Sequence, residues 1–592
     1  MQLTEKKPVP TGSSRKYGFI VTLLGILVLI TLSLYKGGSG TFNSIILLTV
    51  PKQPDSLCPL VKKINPIPIL SSNGSLDTLN DILHSKEYRN KSLSKFQGAL
   101  RIPTQIFDEM AWTLDKSDDE VTWKDLFESD ERWQVFQEFH QYLKKTFPLV
   151  HEHLKLETPN KLALVYTWKG SDTSLKPILL TAHQDVVPVP PETEAKWHHP
   201  AFDAFYDEET GYVTARGVSD CKNLLIGLLE AVETLLEEGT FQPKRTIILG
   251  FGYDEESRGE GALHIHDHLI QVYGEDSILM IVDEGNDGYF VEQGLNIIAP
   301  SVGEKGYLDL SIQLNTPGGH SSIPPAHTGI GLMSLLVAQI EHAPFKPQLS
   351  GANPTLNQLY CLAEHSPTIG KSLKSDILKS HFDPGANGRI IDYISQSHVM
   401  SYLLKTSQAA DIVRGGLKVN ALPEVVELLV NHRIAVEDSV ASTRDKIVKD
   451  ILVIAREFDL GVVVDGEEIR ETSIHGYFNY TSQSTLEPAP VTPTSGPVWE
   501  LFGGSLLYLY EDLLKVDNGN QFVFAPALSI GNTDTKRYWD LTKHIYRYQP
   551  AVPQKNSQIH AIDEQLLFDS HLTVVAFYYY FLQVADSFRE AL

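Results

Sequence analysis

Cysteine is almost missing from this chain of 592 residues: only Cys58, Cys221 and Cys361 occur. So small and odd a number excludes a disulfide-stapled fold and leaves room for one bridge at most. Positive charge is also in deficit. Lys and Arg number 50 against 74 Asp and Glu, a formal net charge of −24. Nucleic-acid binding needs a basic surface to neutralise phosphates, so a general nucleic-acid partner is excluded. Internal repeats and low-complexity tracts are absent, and nothing points to a repeat array. The remaining composition, 42% hydrophobic and 21% charged, is that of a globular protein. The length exceeds what one core supports, so two or more domains are predicted.

One long uncharged run stands at the N-terminus, "YGFIVTLLGILVLITLSLY" from Tyr17 to Tyr35. It is long enough to cross a bilayer as a helix. Lys6, Lys7, Arg15 and Lys16 precede it, which orients residues 1–16 to the cytosol and the body to the lumen. "SLYKGGSG" is a poor cleavage site, so 17–35 reads as an uncleaved transmembrane signal-anchor rather than a signal peptide. Sequons at Asn73, Asn90 and Asn479 agree with a lumenal body carrying glycans. Residues 36–95, rich in Ser, Pro and Asn, read as a stem.

From about residue 96 to 302 short apolar runs alternate with helical patterns. "LALVYTW", "PILLTAH", "RTIILGFGY" and "SILMIVDE" are continuous rather than alternating, the mark of strands covered on both faces. Between the second and third lies a Leu-rich helix stopped by Gly239. This predicts an α/β domain with a mostly parallel sheet. From 303 to 470 the pattern changes. "GYLDLSIQL" alternates, a helix follows over 328–342, then a strand at 425–434, a helix over 439–457 and a strand over 460–465. This predicts a ferredoxin-like α+β domain interrupted by an insertion over 345–408. Residues 471–592 complete the first domain after the Pro-rich "EPAPVTPTSGP".

The strand ends carry the chemistry. One strand ends at His183, the next at Asp254, Glu255 and Glu256, a third at Asp283 and Glu284, and Asp220 opens the Leu-rich helix. In open α/β sheets, sites form beyond the carboxyl ends of the strands. A histidine and several carboxylates gathered there suit Zn²⁺ or a similar divalent ion. Taken singly, Asp220 is a helix cap, His183 a core histidine and the glutamates solvated. Together they predict a cation, since adjacent buried acids repel one another. His560, in "SQIHAIDEQ", adds a fifth donor.

The ordered set "HQDVVPV", "ARGVSDCKNLL", "GYDEESRGEGA", "VDEG", "EKGYLDL", "GGHSSIPP", "GGLKVNALPE", "NHRI", "GNTDTKRYW" and "IHAIDE" resembles the dinuclear-zinc peptidases that include aminoacylases and glutamate carboxypeptidases. It is most similar to the fungal vacuolar carboxypeptidase S (Gly-X carboxypeptidase) branch. The resemblance implies two Zn²⁺ per subunit and a zinc-peptidase catalytic domain carrying an inserted lid, which also serves for homodimerisation. His183 would bind one zinc with Asp185 orienting it, Asp220 would bridge, and Glu256 and His560 would bind the second. The remaining ligand is Asp283 or Glu284; the choice here falls on Asp283. Glu255 would be the general base, and His320 on the lid would steady the oxyanion. Asn420, Arg433 and Lys536 would bind substrate, with Arg433 as a carboxylate clamp. Three positions depart from the family pattern: Cys221 replaces Met, Lys536 replaces Arg with Arg537 beside it, and Arg258 replaces Gly.

The activity implied is hydrolysis of the C-terminal bond of short peptides with a free carboxylate, in a vacuole or lysosome-like lumen. The alternative is an N-acyl-amino-acid amidohydrolase, because both substrates present an amide beside a free carboxylate. A binding protein on an inactive peptidase fold would be expected to lack a ligand or Glu255, and none is missing.

Overall fold

The computed structural model describes residues 56–110, 120–554 and 557–589. Its central sheet has eight strands in the order Lys155–Glu157, Leu164–Trp168, Ile247–Gly252, Ile178–His183, Met280–Asp287, Ile545–Gln549, Ser301–Glu304, Ala527–Ser529. The inner run from Ile247–Gly252 to Ile545–Gln549 is parallel. Both flanks contain antiparallel pairs. The expectation of a mostly parallel sheet is therefore corrected to a mixed one. Leu164–Trp168 runs antiparallel to both of its neighbours, and Ser301–Glu304 runs antiparallel to Ile545–Gln549 but parallel to Ala527–Ser529.

Strands Ile178–His183 and Ile247–Gly252 are buried along their whole length. Helix Lys222–Glu238, backed by the apolar C-terminal helix Phe568–Ser587, covers one face, and helix Glu260–Tyr273 covers the other with Ile265 and Leu269, which explains the uninterrupted apolar runs.

Residues read as a stem behave differently from Ile67 onward. Helices Ile67–Asn73, Leu76–His84 and Lys86–Leu100 bury Leu70, Leu79, Ile82 and Phe96 in the catalytic core. Their helical spacing builds a packed face rather than a spacer. The segment 17–35 lies outside the described residues. Among the described residues no helix is long and apolar enough to cross a membrane, and the expected transmembrane helix is not found among them.

The second domain is a six-stranded sheet, with Gly306–Asn315 between Val425–Ile434 and Tyr477–Leu486. Alternate residues Leu308, Leu310, Ile312 and Leu314 pack under helices Gly329–His342 and Val440–Glu457 with Leu332, Leu336, Ile447 and Ile451. The strand Tyr477–Leu486 belongs to this sheet, so the lid extends past 470. Lys305 is the only residue between the last catalytic strand and the first lid strand. A Cβ on Gly306 would run into Leu486 O and Glu487, so the outgoing and returning chains pass each other there.

The insertion is helical. Its helices Pro354–His365, Lys371–Lys379 and Pro384–Ile394 pack Leu356, Tyr360, Ile377 and Ile390 against Leu295, Ile297 and Val523 of a small sheet on the catalytic domain. A disulfide joins Cys58 to Cys361 on the first of these helices. Next to it Glu364 accepts the backbone N–H groups of Leu57 (2.8 Å) and Cys58 (3.1 Å).

Candidate metal centre

Each donor arrives on a separate element at one edge of the sheet. His183 is the last residue of its strand and is 1% exposed. Its Nε2 lies 3.0 Å from Asp220 Oδ1 and 3.5 Å from Glu284 Oε1. Asp220 turns its other oxygen, Oδ2, to within 3.0 Å of His560 Nε2, which is 2.8 Å from Glu256 Oε1. Asp220 thus stands between two imidazoles, with one carboxylate oxygen towards each. Donor atoms of His183, Asp220, Cys221 and Glu284 lie within 4.8 Å of one another, as do those of His183, Glu255 and Glu256, and those of Asp220, Glu256 and His560.

Asp185 fixes this arrangement from beneath. His183 Nδ1 lies 3.0 Å from the Asp185 carbonyl and 3.2 Å from its Oδ1. The same carboxylate accepts the backbone N–H groups of Glu255 (3.2 Å) and Glu256 (3.1 Å). One buried acid therefore orients the histidine and ties its strand end to the neighbouring one, the arrangement that steadies metal-binding imidazoles.

Of the two adjacent acids, Glu284 and not Asp283 reaches the cluster. Successive side chains of a strand point to opposite faces. Asp283 faces into the protein, its Oδ1 accepting Glu284 N–H at 2.9 Å. Burial pushes Asp283 up to about 6.

The electrostatics call for a cation. Burial raises Glu255, and Asp534 and Glu256 raise it further, outweighing His183 and Lys536. Burial and Asp220 raise Glu284 in the same way. Hydrogen bonds to Asp220 and Glu256 push His560 up to about 10, an imidazolium neutralising acids that a divalent ion would otherwise neutralise. Asp220 is held well below the usual carboxylate range: burial opposes this, but His183 and His560 outweigh it. Imidazole nitrogens and carboxylate oxygens in these numbers suit Zn²⁺. Cys221 is different in kind. Burial pushes its thiol up to about 12, and its Sγ accepts His183 N–H at 3.2 Å. It is a small neutral group bracing the strand end.

A cavity of about 760 Å³ joins this cluster to the lid. Tyr307, Asp309, Asn431, Arg433 and Ser484 roof it from the lid sheet's free face, and Lys536 and Arg537 line its catalytic side. Arg433 donates to Asn532 Oδ1 at 2.9 Å across the domain boundary. Arg537 is committed to the carbonyls of Gly259 and Arg258 (3.3 and 3.2 Å), and Lys536 lines the cavity beside it. The alternating sequence "GYLDL" already marks Tyr307 and Asp309 as sharing a face, a signal that sequence reading passed over.

His320 and Asn420 do not join the site. His320 sits on the ribbon pairing Gly319–His320 with Ala421–Leu422 and Asn420 just before its second strand; both are exposed, and neither lines the cavity. His320 Nδ1 accepts the backbone N–H (3.1 Å) and hydroxyl (2.7 Å) of Ser322. The ribbon projects past Asn315, the end of the first lid strand farthest from the metal cluster. Among the sequons, Asn90 is exposed on its helix, Asn73 donates to Gln583 Oε1 at 2.8 Å, and Asn479 is half-buried in a lid strand.

The chain is similar to known proteins along most of its length. It is 41% identical to Carboxypeptidase S of Saccharomyces cerevisiae over 530 residues, 88% of each chain. It is 30% identical to the N-fatty-acyl-amino acid synthase/hydrolase PM20D1 of Homo sapiens, over 86% of this chain and 90% of that one. In fold it is similar to an M20 family metallo-carboxypeptidase from Sulfolobus solfataricus, with a TM-score of 0.53 at 14% identity, covering 84% of this chain and 99% of that one. Residues 179–584 match Peptidase family M20/M25/M40, and with that match across both halves of the metal centre the chain belongs to this family of metallopeptidases.

Proposed function

We propose that this metallopeptidase is a zinc carboxypeptidase that removes the C-terminal residue from short peptides of the Gly-X type, with two Zn²⁺ per chain. The observation that carries this reading is the single cavity in which Arg433 and Lys536 face Asp220, Glu255, Glu256, Glu284 and His560. A guanidinium fork suits a terminal carboxylate, and holding it there sets the adjacent amide over the acidic cluster. His183 and Glu284 would hold one ion, Glu256 and His560 the other, with Asp220 shared. Bound ions supply a water acidified towards neutrality and positive charge for the developing oxyanion. Glu255, beside these ligands, would serve as the general base that takes a proton from water and returns it to the leaving amine.

A second reading is hydrolysis of N-acyl amino acids, favoured by the similarity to the human N-fatty-acyl-amino acid synthase/hydrolase. The lining argues against long acyl chains. Apart from Ile559 and Tyr307 it is glycine, polar and charged residues, and a fatty chain needs apolar walls. Comparing kcat/KM for benzyloxycarbonyl-Gly-Leu with that for a long-chain acyl amino acid tests the choice. A preference for the acyl substrate overturns the peptidase reading.

The Cys58–Cys361 bridge and the exposed Asn90 sequon support maturation along the secretory route to a vacuole-like lumen. Beside His320 and Asn420, Leu417 and Val419 are fully exposed, which supports a second copy covering this tip in a homodimer. Chain mass in solution at micromolar concentration tests it.

A further inference from the structure

The loop carrying His560 is unusual for a ligand-bearing segment. It has no regular secondary structure, and Gln558, His560 and Asp563 all hold positive φ, at 55°, 60° and 59°. Non-glycine residues keep such angles only where their surroundings enforce them. Asp563 accepts from His198 N (2.9 Å) and lies 2.6 Å from His198 Nδ1, an exposed pair at its rim. Ile562 packs on a small cluster with Trp197.

A further anchor is buried and charged. Glu564, at the end of the loop, is inaccessible to solvent. Its Oε2 accepts Arg216 Nη1 at 2.7 Å and Gly217 N–H at 3.1 Å. Its Oε1 accepts Ser219 N–H at 3.0 Å and Asp220 N–H at 3.3 Å. Its own carbonyl accepts Ala215 N–H at 3.0 Å. Arg216 is itself buried, with its guanidinium 5.3 Å from the Trp197 ring. Gly217 has φ +79°, and a side chain there would strike Val186, so this turn is shaped to point its amides inward.

We infer that Glu564 is a positioning residue that locks the His560 loop to the Asp220 turn and so sets the geometry of one metal position, the one shared by Asp220, Glu256 and His560. The inference rests on the two-ion reading above. The other position draws on His183 and Glu284, and His183 is held by Asp185, which makes no hydrogen bond to Glu564. Loss of the Glu564 carboxylate therefore acts on the two ions unequally. A carboxylate that carries no metal bond but orients a ligand is worth about 10–100-fold in metal affinity.

The test is Zn²⁺ competition titration against a chromophoric chelator, with metal content per chain, on the full chain and on Glu564→Ala and Glu564→Gln. The unsubstituted protein should bind two ions; fewer than two overturns the dinuclear reading itself, separately from this inference. Glu564→Ala should keep one tight site and weaken the other by about 10–100-fold. Glu564→Gln keeps one acceptor oxygen for the amides and should fall between. Two undiminished sites in folded Glu564→Ala overturn the inference. So does equal loss of both ions, or failure of both variants to fold, since Glu564 would then serve folding alone.

Discussion

The two sheets of this molecule expose chemistry in different ways. The catalytic strands Ile178–His183 and Ile247–Gly252 are buried on both faces, so they can present functional groups only where they end. His183, Glu255 and Glu256 stand at those ends. The lid strands Gly306–Asn315 and Val425–Ile434 alternate buried and half-buried residues, one face under helices and the other free. Tyr307, Asp309, Asn431 and Arg433 lie along that free face, and cross-strand pairing sets Tyr307 opposite Arg433 and Asp309 opposite Asn431. Strand ends converge on a point, which suits metal ligands. A free face spreads over a surface, which suits an extended substrate. Rows two residues apart lie about 7 Å from one another, close to the span of two peptide residues.

This division makes separable predictions. The largest effect belongs to a strand end. Glu255→Gln should lower kcat by about 10³–10⁴-fold with metal content unchanged. Retained activity at full metal content would remove Glu255 from proton transfer. Next comes the free face. Arg433→Met should lower kcat/KM by about 10–100-fold, the worth of a charge-assisted hydrogen bond, mostly through KM. If Arg433→Met instead stripped metal, ends and faces would not be functionally distinct. Asp185→Asn should cost about 10–100-fold in metal affinity or activity while shifting thermal unfolding little, because its partners are the histidine and two strand-end amides. A large fall in melting temperature at normal metal affinity would make it a structural residue.

A separate effect, on stability rather than activity, concerns both domains under acid. Burial lowers His432, under the lid helices, to about 4. Burial likewise lowers His140, in the catalytic domain, to about 4, against a hydrogen bond with Gln184 Oε1 at 2.8 Å. A histidine whose folded pKa lies below its unfolded value binds its proton more readily when unfolded. Stability is then fully present above about 6.5 and is lost as pH falls towards 4. His432→Leu should remove about one proton's worth of slope in that window, roughly 1.4 kcal/mol per pH unit. An unchanged slope in chemical unfolding between pH 6.5 and 4 would mean that His432 is not held neutral.

Much of this was legible because buried strands write themselves as continuous apolar runs. "ILLTAH" and "TIILGFGY" locate His183, Glu255 and Glu256 at one edge, and the structure brings Asp220 and His560 to them. The choice between Asp283 and Glu284 was not legible, because it depends on which face of the strand meets the cluster. Both Asp283 and Glu284 sit in a strand, and only three-dimensional packing tells inside from outside. His320 and Asn420 sit on a ribbon whose direction no local pattern encodes. The helices from Ile67 to Leu100 were hidden by their Ser- and Asn-rich outer faces, although Leu70, Leu79, Ile82 and Phe96 already carried the packed side. The mixed sheet was not legible because a continuous apolar run marks burial on both faces and says nothing of strand direction: Leu164–Trp168 is such a run, yet it pairs antiparallel with both neighbours.

The bridge from Cys58 to Cys361 spans 303 residues and turns that stretch of chain into a covalent ring. His183, Asp220, Glu255, Glu256 and Glu284 are inside the ring, whereas Arg433, Lys536 and His560 belong to the tail that leaves it. In the chain-entropy description, closing so large a ring destabilises the unfolded chain by about 6 kcal/mol. A protease that cuts any one loop within the ring would open it without releasing a fragment. Such a nicked molecule would run as one species on a non-reducing gel and as two after reduction, and a cut between Glu284 and Cys361 would leave His183 and Glu284 on one piece and His560 on the other.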